Sequence, residues 1–339
     1  MIRLLESFEK LNIRPLYEHC FSEDGKEFTD YYFSKCLPHN EVVVNEQDGK
    51  IVSALHLIPK NLVVGSLKTN VMYIYAVGTF AGYRNKGYMH EIFNEVLKKM
   101  YENMDAFTYL IPSDENNAAI YERFGFNYVM DKFEITPTEH RRKATHSLIL
   151  RKADNSDLVK LSIFAQSTAY NKYSVVVSKD VEYFKRIKEL IDVEGGHIDI
   201  YVENKVIVGY RIWIDHEIFE EVLDGSIQSL SWESDVRKPY VMARIINIRK
   251  TLRMFEFKNI DEIVFKITDS ILDENNGYFV MTQKHGSIKL EKKSERDIEG
   301  EPDFDIGIGE LTAHIFGYKL IPGLPAVCRK DSFFINDYV

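Results

Sequence analysis

Four residues, Arg84-Asn85-Lys86-Gly87, stand between an apolar run that ends in Val77-Gly78-Thr79 and an amphipathic stretch that begins at Tyr88-Met89. A strand, a basic loop and a helix in this order suit a pyrophosphate. A helix N-terminus presents backbone N–H groups that have no partner in the helix, together with about half a positive charge from its aligned peptide dipoles. Arg84 and Lys86 add charge there, and Gly87 leaves the main chain open to close approach. The flanks supply the context that so short a motif needs: Met89, Ile92, Phe93, Val96, Leu97 and Met100 share one helical face within Lys86 to Tyr101. The structural alternative is an ordinary Asn-Lys-Gly turn before a surface helix. A P-loop and a dinucleotide fingerprint are both excluded, because neither glycine pattern occurs.

The elements that must hold this loop are legible around it. Residues 12–36 read as a pair of short helices broken at Ser22–Gly25. Glu41–Asn45 and Ile51–Ile58 are apolar β-branched runs joined through Asp48-Gly49, a strong hairpin signal. Val71–Val77 is the strand that feeds the loop. Beyond the helix, Ala106–Ile111 reads as a strand, Pro112–Asn116 as a capping turn, Ala118–Phe124 as a short helix and Phe126–Phe133 as a strand, which closes an α/β unit near residue 140. The run from His197 to Ile214 faintly repeats the first hairpin, but no Arg-x-x-Gly loop follows it before an expected loop at Trp232–Lys238. Residues 141–238 therefore read as a shortened, structural second unit. A third, α+β region begins with a strand near Val241 and a helix, continues through Ile263–Ile267, Gly277–Thr282 and Ile288–Glu291, and ends with Phe304–Tyr318. Between its strands, Lys284–Pro302 is a mixed charge run, read as a solvated loop.

Composition narrows the function classes. At 339 residues the chain exceeds one hydrophobic core, and 45% hydrophobic against 28% charged residues is a folded-protein balance. A formal net charge of −9 argues against a nucleic-acid or anionic-membrane surface and mildly favours a cationic substrate. Cys20, Cys36 and Cys328 form neither a CxxC pair nor an even set, so no metal site and no disulfide framework is expected. Without a signal-peptide core or an uncharged span, a cytoplasmic protein is expected.

The Arg84-x-x-Gly87 loop between strand and helix resembles the acetyl-CoA loop of the GNAT acetyltransferases, and Ile120 to Phe126, IYERFGF, resembles a second signature of that superfamily. A shortened second GNAT-like unit, then RIINIRKTL, DFDIGIGELTAHIFGY and the terminal DSFFINDYV, resembles the Eis (enhanced intracellular survival) branch. That resemblance implies a GNAT domain at 1–140, a degenerate GNAT-like domain at 141–238 and a sterol-carrier-protein-like α+β domain at 239–339. The implied activity is an N-acetyltransferase, with acetyl-CoA as cosubstrate, no metal, and a primary amine as acceptor: an aminoglycoside, a polyamine or a lysine-like group. The implied working form is a homo-oligomer, a hexamer by the same likeness. Met89 departs from the small residue frequent at its place in the loop.

The resemblance also assigns roles. Main-chain groups around Val77, Gly78 and Thr79 pair with the pantetheine arm and polarise the thioester carbonyl. Arg84, Asn85, Lys86, Gly87, Tyr88 and Met89 hold the pyrophosphate. Tyr121 is the general acid, suitably protonated at neutral pH with an ordinary phenol pKa of about 10; its bland reading is a core aromatic. The main-chain carboxylate of Val339 is the base, where the bland reading of residues 333–339 is a frayed tail. His56 and His90 are left aside as structural histidines. Glu27, Asp30, Tyr31 and Tyr32 are expected at the acceptor mouth. A binding-only protein, holding an apolar ligand in the C-terminal domain, is the competing reading, and a longer acyl donor a third.

Overall fold

The structure, a computed structural model, describes residues 1–136, 148–225, 232–257, 260–284, 287–329 and 331–336. The first unit contains β1 (Ile2–Leu4), α1 (Arg14–Cys20), α2 (Lys26–Tyr31), β2 (Glu41–Gln47), β3 (Lys50–Val64), β4 (Leu67–Thr79), α3 (Tyr88–Glu102), β5 (Phe107–Leu110), α4 (Glu115–Glu122) and β6 (Asn127–Thr136). The expected Asp-Gly turn joins β2 to β3, with both Asp48 and Gly49 at positive φ as a two-residue hairpin requires. Helix α3 buries Ile92, Phe93, Val96, Leu97 and Met100 against Leu55, Leu57, Ile74 and Leu110 of the sheet. Each such side chain contributes about 1.5–3 kcal/mol of transfer free energy.

The second unit contains β7 (Ile149–Lys152), α5 (Leu158–Lys172), β8 (Val175–Val177), α6 (Val181–Glu194), β9 (Gly196–Glu203), β10 (Val206–Ile214), β11 (Glu217–Leu223) and β12 (Trp232–Ile245). The third contains α7 (Ile248–Leu252), β13 (Glu262–Thr268), β14 (Gly277–Lys284), β15 (Ser287–Lys293), β16 (Phe304–Gly307), α8 (Ile308–Ile315) and β17 (Phe333–Phe334). Four strands of the second unit form a sheet in the order β11-β10-β9-β7, and four of the third form another, β15-β14-β13-β16. No helix among the described residues is long and apolar enough to cross a membrane.

The main sheet has nine strands, β1-β2-β3-β4-β5-β12-β6, with β8 paired to the end of β3 and β17 to β8. Strand β12 corrects the sequence reading twice. Its first half is the stretch expected as a loop at Trp232–Lys238, and its second half, expected to open the third region, runs between β5 and β6 of the first. Val241, Met242, Ala243 and Ile245 are fully buried there, because a central strand is covered on both faces. Which sheet such an apolar run joins is a long-range choice that its own residues do not encode. Part of Lys284–Pro302 is likewise strand β15 rather than loop.

Candidate active site

Strand β4 is where the sheet opens. Its parallel pairing with β5 covers only Tyr73 with Tyr109 and Ile74 with Leu110, after which β4 runs on to Thr79 while β5 stops. At the same level its register with β3 shifts: Tyr75 pairs with His56 and Gly78 with Ala54, so Ala76 and Val77 together face the single residue Leu55. This is a β-bulge, and it holds Ala76 at φ +48°, a left-handed conformation that costs a non-glycine residue on the order of 1 kcal/mol. A bulge leaves its extra residue unpaired and disrupts the ladder locally, here beside the gap. The three residues expected to meet a pantetheine arm, Val77, Gly78 and Thr79, start within the bulge and run to the end of β4.

Side chains pin this end of β4. The Ser53 hydroxyl donates to the Gly78 carbonyl at 3.0 Å and lies 2.8 Å from Thr79 Oγ1. Arg84 Nε donates to the Thr79 carbonyl at 3.1 Å, closing the loop that leads to α3. Arg84, Asn85, Lys86 and Gly87 are all exposed, with Asn85 at φ +60° and Gly87 at φ +87° as the residue before the first turn of α3. Nothing lies within 4 Å of a Cβ placed on Gly87, so positive φ rather than crowding selects glycine, and the space above the helix N-terminus is open. Lys86 Nζ stands 5.0 Å from the Tyr83 ring, and Tyr83 in turn lies 6.2 Å from Tyr88. The Met89 side chain packs against the α3 core, which leaves its first-turn N–H as its contribution to an anion site.

Tyr121 lies on α4, which Asp114 caps by accepting from the Asn117 N–H at 2.9 Å. Its ring packs on Phe93 of α3 (5.7 Å) and on Phe126, the residue before β6 (6.2 Å), and Val77, Met89 and Tyr121 all border one core cluster. Burial, with Asp114 adding, pushes the phenol up to about 12, so it stays protonated at neutral pH.

This arrangement has known counterparts. Residues 1–129 match the acetyltransferase (GNAT) domain family and residues 248–327 the sterol carrier protein domain family. The first unit is a GNAT acetyltransferase domain. Over the whole chain the fold is shared with a protein from Enterococcus faecalis V583 described as a probable N-acyltransferase (TM-score 0.74, 18% identity, covering 94% of this chain and 90% of that one). It is shared as well with a GCN5-related N-acetyltransferase from Anabaena variabilis ATCC 29413 (0.72, 16%, 93% and 90%). Eis1 from Mycobacterium abscessus is a third relative in fold (0.69, 11%, 94% and 90%). No curated protein matches the sequence significantly.

In the GNAT domain, the wall facing α1 and α2 is aromatic and hydrogen-bonded. Tyr17 donates to Asp24 at 2.6 Å and lies 3.0 Å from the Tyr75 hydroxyl, one residue before the bulged Ala76. The Tyr32 hydroxyl sits 2.5 Å from Nδ1 of the fully buried His56, whose pKa burial drives down to about 3, so that imidazole is neutral. Tyr31, at the end of α2, and Tyr32, just past it, both expected on an acceptor rim, are interior residues, because an amphipathic helical segment turns one side to the core. Asp30 does reach the surface, paired with Arg14 at 2.5 Å, and Glu27 is exposed. His90 is exposed, with its ring 5.1 Å from Phe124.

The C-terminal segment docks on the second unit and reaches the GNAT domain at Met130. Phe333 and Phe334 pair in parallel with Val175 and Val176, Phe333 and Ile335 are fully buried, and the Ile335 N–H points at Met130 Sδ. Asn336 donates to the Phe219 carbonyl. Val339, the expected base, lies outside the described residues. The sequence reading missed Ala76, Cys20 and the Tyr17–Tyr75 pair, since no residue type marks a bulge and no spacing reports contacts between distant elements.

Proposed function

We propose that the chain transfers an acetyl group from acetyl-CoA to a primary amine by direct attack, the amine being an aminoglycoside, a polyamine or a lysine-like group. The observation that carries the reading is the gap between β4 and β5, bordered by the bulge at Ala76 and continuous along the chain with the open N-terminus of α3. In this reading Val77–Thr79 main-chain groups align the pantetheine arm and a bulge N–H stabilises the developing oxyanion. The first turn of α3 with Gly87, Tyr88 and Met89, flanked by Arg84, Asn85 and Lys86, holds the pyrophosphate.

The amine nitrogen forms its bond to the acetyl carbon with its lone pair, and the C–S bond then breaks. The sulfur leaves with that bonding pair and takes the Tyr121 phenol proton. The proton lost by nitrogen passes to a base, for which the Val339 carboxylate stands as the candidate, supported by a tail docked as far as Asn336. Acidic residues exposed on α2, Glu27 and Asp30, suit a cationic acceptor.

The apolar-ligand reading has less support. The apolar cavity of the C-terminal domain, between Phe265, Met281 and Leu311, measures about 10 Å3, whereas ligand pockets run to about 300–1,000 Å3. Calorimetry of acetyl-CoA binding to the intact chain and to Gly87→Glu, followed by acetylation of a panel of kanamycin, spermidine and Nα-acetyl-lysine, tests the proposal. Micromolar binding abolished by the substitution, with turnover of one amine, is expected. An intact chain that binds no acetyl-CoA would sink it.

A further inference from the structure

Three residues past Tyr121, the GNAT domain is clamped by the carrier domain through one buried arginine. Arg244, on β12, is completely buried. Its Nη1 donates to the Phe124 carbonyl at 2.8 Å, and its Nη2 donates to both carboxylate oxygens of Asp269 at 2.7 and 2.8 Å. Asp269, in the carrier domain, is held in turn by the N–H groups of Ile271 and Leu272 and by Asn275 Nδ2. On the other side, the Tyr121 carbonyl accepts from both the Phe124 and the Phe126 N–H, at 2.9 and 3.3 Å. A path of hydrogen bonds and main chain therefore runs from Asp269 through Arg244 and the backbone of Phe124 to the Tyr121 carbonyl.

The turn it grips has no slack. Gly125 sits at φ +78°, and a Cβ there would come 2.7 Å from Ile308 Cγ2 and 3.3 Å from Arg244 Nη1. A Cβ on Gly309, at the start of α8, would come 3.3 Å from the Gly125 carbonyl. The carrier domain thus touches the turn that ends α4 by backbone-close packing as well as by the ion pair. Buried ion pairs specify a geometry more than they add stability, and a planar guanidinium can serve a carboxylate and a carbonyl at once where a lysine ammonium is a point charge.

We propose that Arg244 and Asp269 are positioning residues for the Tyr121 phenol, by which the carrier domain sets the geometry of proton delivery to the departing thiol. The proposal rests on Tyr121 being the general acid. It gives the carrier domain a part in acetyl transfer that needs no ligand of its own.

The test compares kcat for Arg244→Lys, Tyr121→Phe and the paired Arg244→Met/Asp269→Leu, which leaves no unpaired buried charge, with the amine turned over fastest in the panel above. Two acyl donors are used: acetyl-CoA, and an acetyl thioester of a thiophenol, whose acidic thiol leaves without protonation. Misplacement of a general acid by about 1 Å costs up to about 100-fold. With acetyl-CoA, kcat of the folded variants is expected to fall 10-fold or more at unchanged acetyl-CoA affinity, while the loss with the aryl thioester stays within about 2-fold. A merely structural role would lower both donors alike. Equal losses, or Arg244 variants with full kcat beside an impaired, donor-dependent Tyr121→Phe, overturn the positioning role and leave the acid assignment intact. A Tyr121→Phe enzyme with undiminished kcat overturns both.

Discussion

Gly78 on β4 and Cys20 at the end of α1 are in contact so close that a Cβ built on the glycine would lie 2.9 Å from the cysteine sulfur and 3.2 Å from its Cβ. Helix α1 therefore closes over the strand one residue beyond Val77, on the segment that frames the gap between β4 and β5. Gly78→Ala is expected to push the two apart, costing about 1–3 kcal/mol as an overpacked core does and raising KM for acetyl-CoA. Cys20→Ala, by removing the sulfur, should recover part of both losses in the double variant. Urea midpoints and steady-state kinetics of the four-member cycle check the coupling.

Tyr121 should leave a signature in pH profiles. With its phenol at about 12, the acid form persists through the range in which amines titrate, so kcat at saturating amine is expected to show no falling limb assignable to it up to about pH 10. Tyr121→Phe should lower kcat about 100-fold or more at every pH in that range. Stopped-time assays between pH 7 and 10 read both.

His56 links stability to acid. Its folded pKa of about 3 lies below the unfolded value of about 6.5, so the unfolded chain binds the extra proton as pH falls through 6.5. Its contribution is complete above pH 6.5 and is lost toward pH 3, at up to about 1.4 kcal/mol per pH unit. Unfolding free energies at pH 7, 5.5 and 4 should fall more steeply in the natural chain than in His56→Gln.

The second unit carries a fully buried pair in which Lys179 Nζ donates to Glu220 at 2.8 Å and to Tyr183 at 2.7 Å, while Tyr210 donates to the other Glu220 oxygen. Lys179→Met strands a buried carboxylate and is expected to cost about 3–5 kcal/mol. Adding Glu220→Leu should recover part of that loss. Thermal unfolding of the single and double variants separates stranded charge from lost packing.

Removing residues 337–339 takes away the Val339 carboxylate and leaves the new chain-end carboxylate at Asn336, three residues short of it, while keeping Phe333, Phe334 and Ile335, which hold the tail. The truncated chain is expected to keep its melting temperature within about 2 °C and its acetyl-CoA affinity, and to lose about 100-fold or more in kcat at neutral pH. Full activity of the truncated chain would dismiss the Val339 carboxylate as base.

Local pattern was enough for much of this molecule. The Asp48-Gly49 turn, the apolar face of α3, the Asp114 cap of α4 and the strand-loop-helix around Gly87 follow from periods of two and 3.6 residues, turn residues and caps, all of which act within a few positions of chain. The loop at Arg84–Gly87 is legible for the same reason, whereas the role of Tyr121 is implied by family resemblance alone, because a tyrosine at helical spacing reads equally as a core aromatic.

Tertiary structure alone decided the rest. An alanine adopts φ +48° at position 76 because the surrounding sheet over-determines it, and alanine advertises no such strain. Strand β12 enters the first sheet, and Arg244 reaches Phe124 and Asp269, through contacts 120 and 25 residues apart in sequence. Hydrophobic burial is non-directional, so an apolar run states that it will be buried and leaves open against what. The sequence by itself determined the elements whose pattern is local, while packing decided that charged stretches such as those in β12 and β15 become strands and which elements meet.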